Sequence, residues 1–298
     1  MRQERGQVLV LGVLMMTSLL GMAALVLDTG SWFRERRHLQ ATADAAALAG
    51  AQVLPDFPGN ASALALQYAS TNGSGTVSSS DISFSTAYLA NDTITVHAHS
   101  SAPGFFSKVF GIASVNVGAT AAARAGIPSS ARYSAPFAVD RLHPELAGPG
   151  CPCYGVPTDL DLKKIGPGAF RIINLDGSQG GTGQAILADW ILHGYGGLMS
   201  LGWYWSDSGA KFNASEVKDA LDARIGEELL FPIYSQTQGQ GSNFDYQIVG
   251  WAGFRLTGFD ASGNNSQLFG SFTRTVWAGI QGQTSGPDYG VRVVQLVQ

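Results

Sequence analysis

Few groupings in this chain place reactive side chains close enough together to act. His97 and His99 lie two apart in the run Thr93 to Ser100, TITVHAHS. On a strand, residues i and i+2 share a face, so the two imidazoles could serve as neighbouring metal ligands. No Cys, Asp or Glu beside them completes a site, and the polar solvent face of an edge strand accounts for the pair. Cys151 and Cys153 are the 2 cysteines of the chain. A bridge between residues two apart closes a very small ring, and Pro152 restricts its adjustment, so its geometry would be strained. A lone C-x-C is also half a metal site, with no second half here. Structural or incidental cysteines are the favoured reading, with a local disulfide in an oxidising compartment as the alternative.

Asp159, Asp161 and Asp189 offer carboxylates that nothing in the sequence pairs with a base or a nucleophile. Gly180-Gly181-Thr182-Gly183 ahead of a helix could present backbone N–H groups to an anion, but it lacks the Lys and the spacing of a phosphate loop. A loop entering a helix explains it. No Ser stands in a G-x-S-x-G context. The sequence therefore nominates no catalytic residue, no metal ligand and no cofactor. With a net charge of −4 and no strongly basic face, nucleic acid is not an expected partner. No small-molecule substrate is indicated either.

The elements that must position these groups begin with Val8 to Leu27, an apolar run without a charge, framed by Arg2 and Arg5 before it and by Asp28 and Arg34, Arg36 and Arg37 after it. As a helix it spans about 30 Å, the thickness of a bilayer's hydrocarbon core. A cleaved signal peptide, cut near Ala23 or Ala24, competes with an uncleaved anchor. The run is longer than a signal core and continues past the small residues, which favours the anchor. Lys and Arg counts alone would put the downstream side in the cytoplasm, whereas the polar, Gly-rich body suits the opposite side.

Ser31 to Gln52 continues as helix, and Leu39, Ala43, Ala46 and Gly50 give it a face of small residues that lets another helix approach. An Ala-rich spacer without a partner is the equal alternative. Pro55 and Pro58 end it.

The segment from Arg5 to Ala51 combines R-G-Q, the apolar run, Asp28-Thr29-Gly30, the Arg cluster and LQATADAAALAGA. This combination resembles the N-terminal segment of TadG-like Flp (tight adherence) pilus-assembly proteins. The resemblance implies an anchor in the bacterial inner membrane with the body outside the cytoplasm. Some TadG relatives carry a von Willebrand A domain with an Asp-x-Ser-x-Ser metal motif. Asp176-Gly177-Ser178-Gln179-Gly180 meets its first two positions and has Gly at the last, so a Gly-rich turn after a strand is the better reading.

Downstream, Ala61 to Thr71 reads as a helix stopped by Asn72-Gly73-Ser74-Gly75. Asp81 to Thr86, Thr93 to His99 and Ser114 to Ala123 read as strands. Phe105 to Phe110 reads as a short helix whose Phe side chains cover the sheet. Ile127 to Ser130 reads as a linker. Helices are expected at Gln184 to Tyr195, with a stripe of Ile186, Trp190 and Ile191, and at Ser215 to Ile225, with Val217, Leu221 and Ile225 inward. Strands are expected at Glu228 to Tyr234, Tyr246 to Thr257, Leu268 to Trp277 and Gly290 to Val297. A stretch opening with GPGAF at Gly166 to Phe170 and ending with GSFTR at Gly270 to Arg274 is similar, less specifically, to the C-terminal part of the same group.

The expected fold is thus α+β. One transmembrane helix continues into an Ala-rich helix (1–54), a small α+β module follows (55–126), and a mostly antiparallel, β-rich domain with two helices completes the chain (127–298). The expected role is a non-catalytic component of Flp pilus assembly or export, a single-pass inner-membrane protein whose partners are the bilayer and other pilus-assembly membrane proteins. Gly12, Gly21, Asp28, Ala43, Ala47 and Gly50 are the expected packing surface, with Asp28 pairing with Arg34 or a partner, or capping the following turn. A surface adhesin or minor pilin is the alternative, though Leu11 stands where type IV pilins carry Glu.

Overall fold

The computed structural model describes residues 4–73, 77–162, 171–207, 209–240, 243–261, 266–282 and 286–297. Arg2, the Ser74-Gly75 part of the expected turn and the Gly166–Phe170 stretch lie outside the described residues. The chain divides into two compact units, one of residues 1–124 with 295–298 and one of residues 125–294.

The first unit is organised by one helix, α1 (Glu4–Ala51), 48 residues long. From Val8 to Leu27 it carries no charge and its large apolar side chains project away from the protein, while the Thr17 and Ser18 hydroxyls bond back to helix carbonyls. From Leu39 onward it enters a core: Leu39, Ala43, Ala46, Ala47 and Ala51 are buried. Pro58 occupies the first turn of α2 (Pro58–Asn72), where a missing N–H costs nothing. Ala61, Ala65 and Ala69 recur every four residues and form its buried stripe, which packs on α1. Small residues on both helices allow the close approach. At Gly50 a methyl group would lie 2.6 Å from Ile94 Cδ1 and 2.9 Å from the Ala61 carbonyl oxygen. The helix that the small face of α1 was expected to admit is therefore α2 of the same chain.

Three antiparallel strands follow: β1 (Ile82–Ser85), β2 (Thr93–Pro103) and β3 (Ser114–Gly126). Along β2 the alternation expected from sequence holds, with Ile94, Val96, Ala98 and Ala102 buried and His97 and His99 exposed. The buried side packs on α1.

The second unit is rich in strands. Ile127 to Ser130 is not a linker: Pro128–Ala131 forms β4, which pairs antiparallel with two short strands introduced below. In chain order there follow β5 (Val139–Asp140), the one-turn α3 (Pro144–Ala147), β6 (Pro157–Asp161), α4 (Gln184–His193), β7 (Met199–Ser200), β8 (Gly202–Trp205) and α5 (Ser215–Asp222). The remaining strands are β9 (Glu228–Gln240), β10 (Asn243–Asp260), β11 (Gln267–Thr273), β12 (Thr275–Val276), β13 (Gly279–Gln281) and β14 (Val291–Val297). A sheet in the order β5, β9, β10, β11, β6 forms the centre, antiparallel except for β5 on β9, with β8 also pairing with β10. Strand β4 lies between β13 and β7.

Phe137, Phe231, Phe254 and Phe272 meet edge to face or stacked at 5.2–5.6 Å in its core. The two expected helices are present and pack on each other. On α4 Trp190 and Ile191 lie inward as expected, joined by Leu187 in place of Ile186, which is exposed. Val217 and Leu221 point inward on α5, but the helix stops at Asp222 and leaves Ile225 exposed.

Candidate functional site

The junction between the exposed half of α1 and its buried half is where one charged side chain decides the local structure. Asp28 follows directly on the apolar run and is itself fully buried. Its Oδ1 accepts the backbone N–H of Phe105 at 3.0 Å, and its Oδ2 accepts those of Phe106 at 3.0 Å and Ser107 at 2.6 Å. These N–H groups open a 3-10 turn, Ser107–Phe110, whose preceding residue, Phe106, makes no side-chain cap. The first N–H groups of any helical turn lack internal acceptors and carry partial positive charge, so a carboxylate is the natural complement. Asp28 thus pairs neither with Arg34 nor with the turn that follows it.

The β2–β3 connection is shaped around this contact. The Ser107 hydroxyl donates to the Ile112 carbonyl at 3.1 Å, and the Gly104 N–H donates to the Ala113 carbonyl at 3.0 Å. A Cβ on Gly104 would collide with Ser107 Oγ at 2.1 Å, so only glycine fits there. Further bonds join α1 to β2 and β3: Trp32 Nε1 donates to the Pro103 carbonyl, the Ser100 hydroxyl to Glu35 Oε1 and Gln40 Nε2 to the Thr120 carbonyl. Drawn to α1 in this way, the loop does not lay its aromatic residues on the sheet as expected. Phe105 is 65%, Val109 84% and Phe110 79% exposed, and Phe106 and Ile112 are exposed as well.

Of the residues expected to face a partner, Ala43, Ala47 and Gly50 are enclosed by their own chain, and Asp28 is spent on the loop. Gly12 and Gly21 have nothing within 4 Å of a Cβ and lie on the exposed half of α1. The structure does not bring the two groups together. Sequence reading missed the Asp28 partner because it lies 77–79 residues away. A signal was present: a short helical turn without a Ser, Thr, Asp or Asn cap needs an acceptor from elsewhere.

The other chemically suggestive groups are tied into local structure. His97 Nδ1 bonds the Thr120 hydroxyl at 2.8 Å, and His99 Nδ1 lies 3.9 Å from Asp81. Cys151 and Cys153 form the disulfide that the sequence had ranked second, with Cα atoms 4.5 Å apart, inside the range that a bridge tolerates. Glu145 lies beside them. Since the sulfurs bond each other, it has no thiolate neighbour with which to hold a metal. Asp176 Oδ1 accepts the Ser178 N–H at 2.7 Å and the Asn174 amide donates to the Ser178 hydroxyl at 2.9 Å, so this segment closes on itself as a turn.

The Gly-rich loop before α4 does bind an anion, but an internal one. The Thr182 N–H donates to Asp207 Oδ2 at 3.0 Å, and Lys211 Nζ pairs with Asp207 Oδ1 at 2.6 Å. Asp189 pairs with His193 at 2.9 Å on the surface of α4. Asp159 and Asp161 line a groove with His143 and Arg171, where Gln267 donates to Asp161 Oδ1 at 2.7 Å and Arg171 to the Asp161 carbonyl at 2.7 Å. Burial against Phe272 holds the His143 imidazole below its usual pKa, partly offset by the Asp159 carbonyl.

Among the described residues, one helix is long and apolar enough to cross a membrane, and it is α1, with none of its most apolar stretch buried in the protein. The Tad family model, described as Flp pilus-assembly TadE/G-like, matches residues 6–53, which bears out the resemblance read from the same segment. No curated protein and no solved structure matches the chain.

Proposed function

We propose that this chain is a membrane-anchored, non-catalytic component of Flp-type pilus assembly or export that acts through protein contacts, with its body outside the cytoplasm. The observation that carries the reading is the coincidence of the family match with a single element. Residues 6–53 are α1 with two residues beyond its end. What is shared with the family is therefore the span, the Asp28 junction and the small face that seats α2, which together form an anchoring device.

The Cys151–Cys153 bridge supports an oxidising, extracytoplasmic setting for the body. It weighs against the Arg count as a guide to orientation. Within the span, Gly12 and Gly21 are the open small positions at which a second membrane helix could pack.

Deletion of the gene should abolish Flp pili, and the full-length chain should fractionate with the inner membrane and co-purify with pilus-assembly membrane proteins. A soluble form cut near Ala24 would refute the anchor, and a form cut after Gly6 would favour a pilin.

A further inference from the structure

The loop held by Asp28 is apolar, exposed and fixed at the end of the span. We propose that Phe105, Phe106, Val109, Phe110 and Ile112 embed in the lipid surface and form a second, non-spanning membrane contact beside α1. The proposal rests on α1 being a membrane anchor.

Depth is the first argument. Leu27 ends the apolar run, and the next residue, Asp28, accepts the Ser107 N–H at 2.6 Å. The loop backbone is thereby set at the boundary of the hydrocarbon core. Each headgroup layer is about 5–8 Å thick, and Trp32 and Phe33 lie about 8–9 Å beyond Leu27 at 1.5 Å per residue. Trp32 and Phe33 therefore stand at the outer edge of that layer, and the loop, level with Asp28, lies at its inner edge.

Composition is the second. Val109 and Phe110 are 84% and 79% exposed, a cost in water that insertion of apolar side chains into the acyl boundary removes. The one charge within the turn is Lys108, whose long stem allows its ammonium to reach the headgroups. Arg34, Arg36 and Arg37, all exposed on α1, follow about 10–15 Å beyond Leu27, on the water side of the headgroups, which their long side chains can reach back to.

Continuity is the third. The exposed side chains of Val8 to Leu27 meet lipid on the same helix that carries Asp28, so the loop extends an apolar surface already assigned to the bilayer. The loop is also held: Asp28 pre-pays the ordering that an isolated turn would otherwise lose on insertion.

The test uses the full-length chain in phosphatidylcholine–phosphatidylglycerol vesicles carrying lipids spin-labelled near the headgroup or deep in the acyl chain. Single cysteines replace Val109, Leu19 or Ala63, each labelled without reductant with an environment-sensitive fluorophore. Ala63, on α2, is the control far from the span. The expected result is at least about a twofold loss of Val109 emission with the shallow quencher. Leu19 should be quenched by the deep one and Ala63 by neither. Quenching at Leu19 without quenching at Val109 overturns the loop contact and leaves the anchor standing. Val109 shielding that tracks the protein-to-lipid ratio, instead of lipid quenching, assigns the patch to a second copy and also overturns it. No quenching at Leu19 overturns the anchor reading and this one with it.

Discussion

Asp28 and Ser107, 79 residues apart, are joined by a carboxylate-to-amide hydrogen bond of 2.6 Å. Replacing Asp28 with Ala removes the acceptor for three N–H groups at once. Exchange of the Phe105, Phe106 and Ser107 amides should speed up by roughly tenfold or more, while amides of β1 stay protected. Unchanged exchange at these three amides, measured on the full chain by mass spectrometry, would contradict the role given to Asp28.

Enlarging the small face tests whether it is internal. Ala43→Leu, Ala47→Leu and Gly50→Leu force side chains into the contact of α1 with α2 and β2, and each should lower stability by about 1–3 kcal/mol or more. Gly12→Leu and Gly21→Leu meet no neighbour and should leave thermal unfolding in detergent unchanged. If these two also leave co-purification with pilus-assembly membrane proteins intact, the span does not carry the partner contact.

Asp92 gives unit one a defined response to acid. Burial pushes its carboxyl up, but the N–H groups of Leu89, Tyr88 and Ala87 and the Thr93 hydroxyl outweigh that and hold it below its ordinary pKa of 3.8. A group depressed in the folded state contributes stability above its unfolded pKa and loses it as pH falls through the folded one. The unit should therefore weaken as pH drops below about 4. Asp92→Asn should cost about 1–3 kcal/mol at neutral pH and flatten this acid limb, as read by denaturant midpoints across pH.

In the second unit, Asp207 is wholly buried and Lys211 largely so. Breaking such a pair leaves one charge uncompensated, so Lys211→Met should cost about 3–5 kcal/mol. The double variant Asp207→Leu with Lys211→Met should recover part of that loss. Chemical denaturation of the three variants reads the difference.

The Cys151–Cys153 bridge makes the compartment measurable. In intact cells, a thiol reagent should leave the chain unlabelled until reductant is added. Labelling without reductant would place the body on the reducing side.

Much of the order of elements was legible because it rests on short-range chemistry. Period-two alternation marked β2, the prolines marked the end of α1, and small residues every four marked the face that α2 fills. What escaped the sequence depends on distant partners. On α4, Trp190 and Ile191 lie inward as expected and Leu187 takes the place of Ile186, because what packs against the helix decides which of two adjacent positions is covered. The β4 segment read as a linker from Pro128, yet its pairing comes from Met199–Ser200 and Gly279–Gln281. The Phe105–Phe110 loop was expected to cover the sheet because three aromatic residues ordinarily seek a core. One carboxylate on α1 turns it away.

Helix α1 contains no proline among its 48 residues, and its helical hydrogen bonding is continuous from Glu4 to Ala51. At 1.5 Å per residue its length is about 70 Å. Its far end is buried in the core of the first unit, and its near end is the stretch long and apolar enough to cross a membrane. One continuous helix thus carries both the exposed apolar run and the buried small face, so a displacement of the first bears directly on the contacts of the second with α2 and β2.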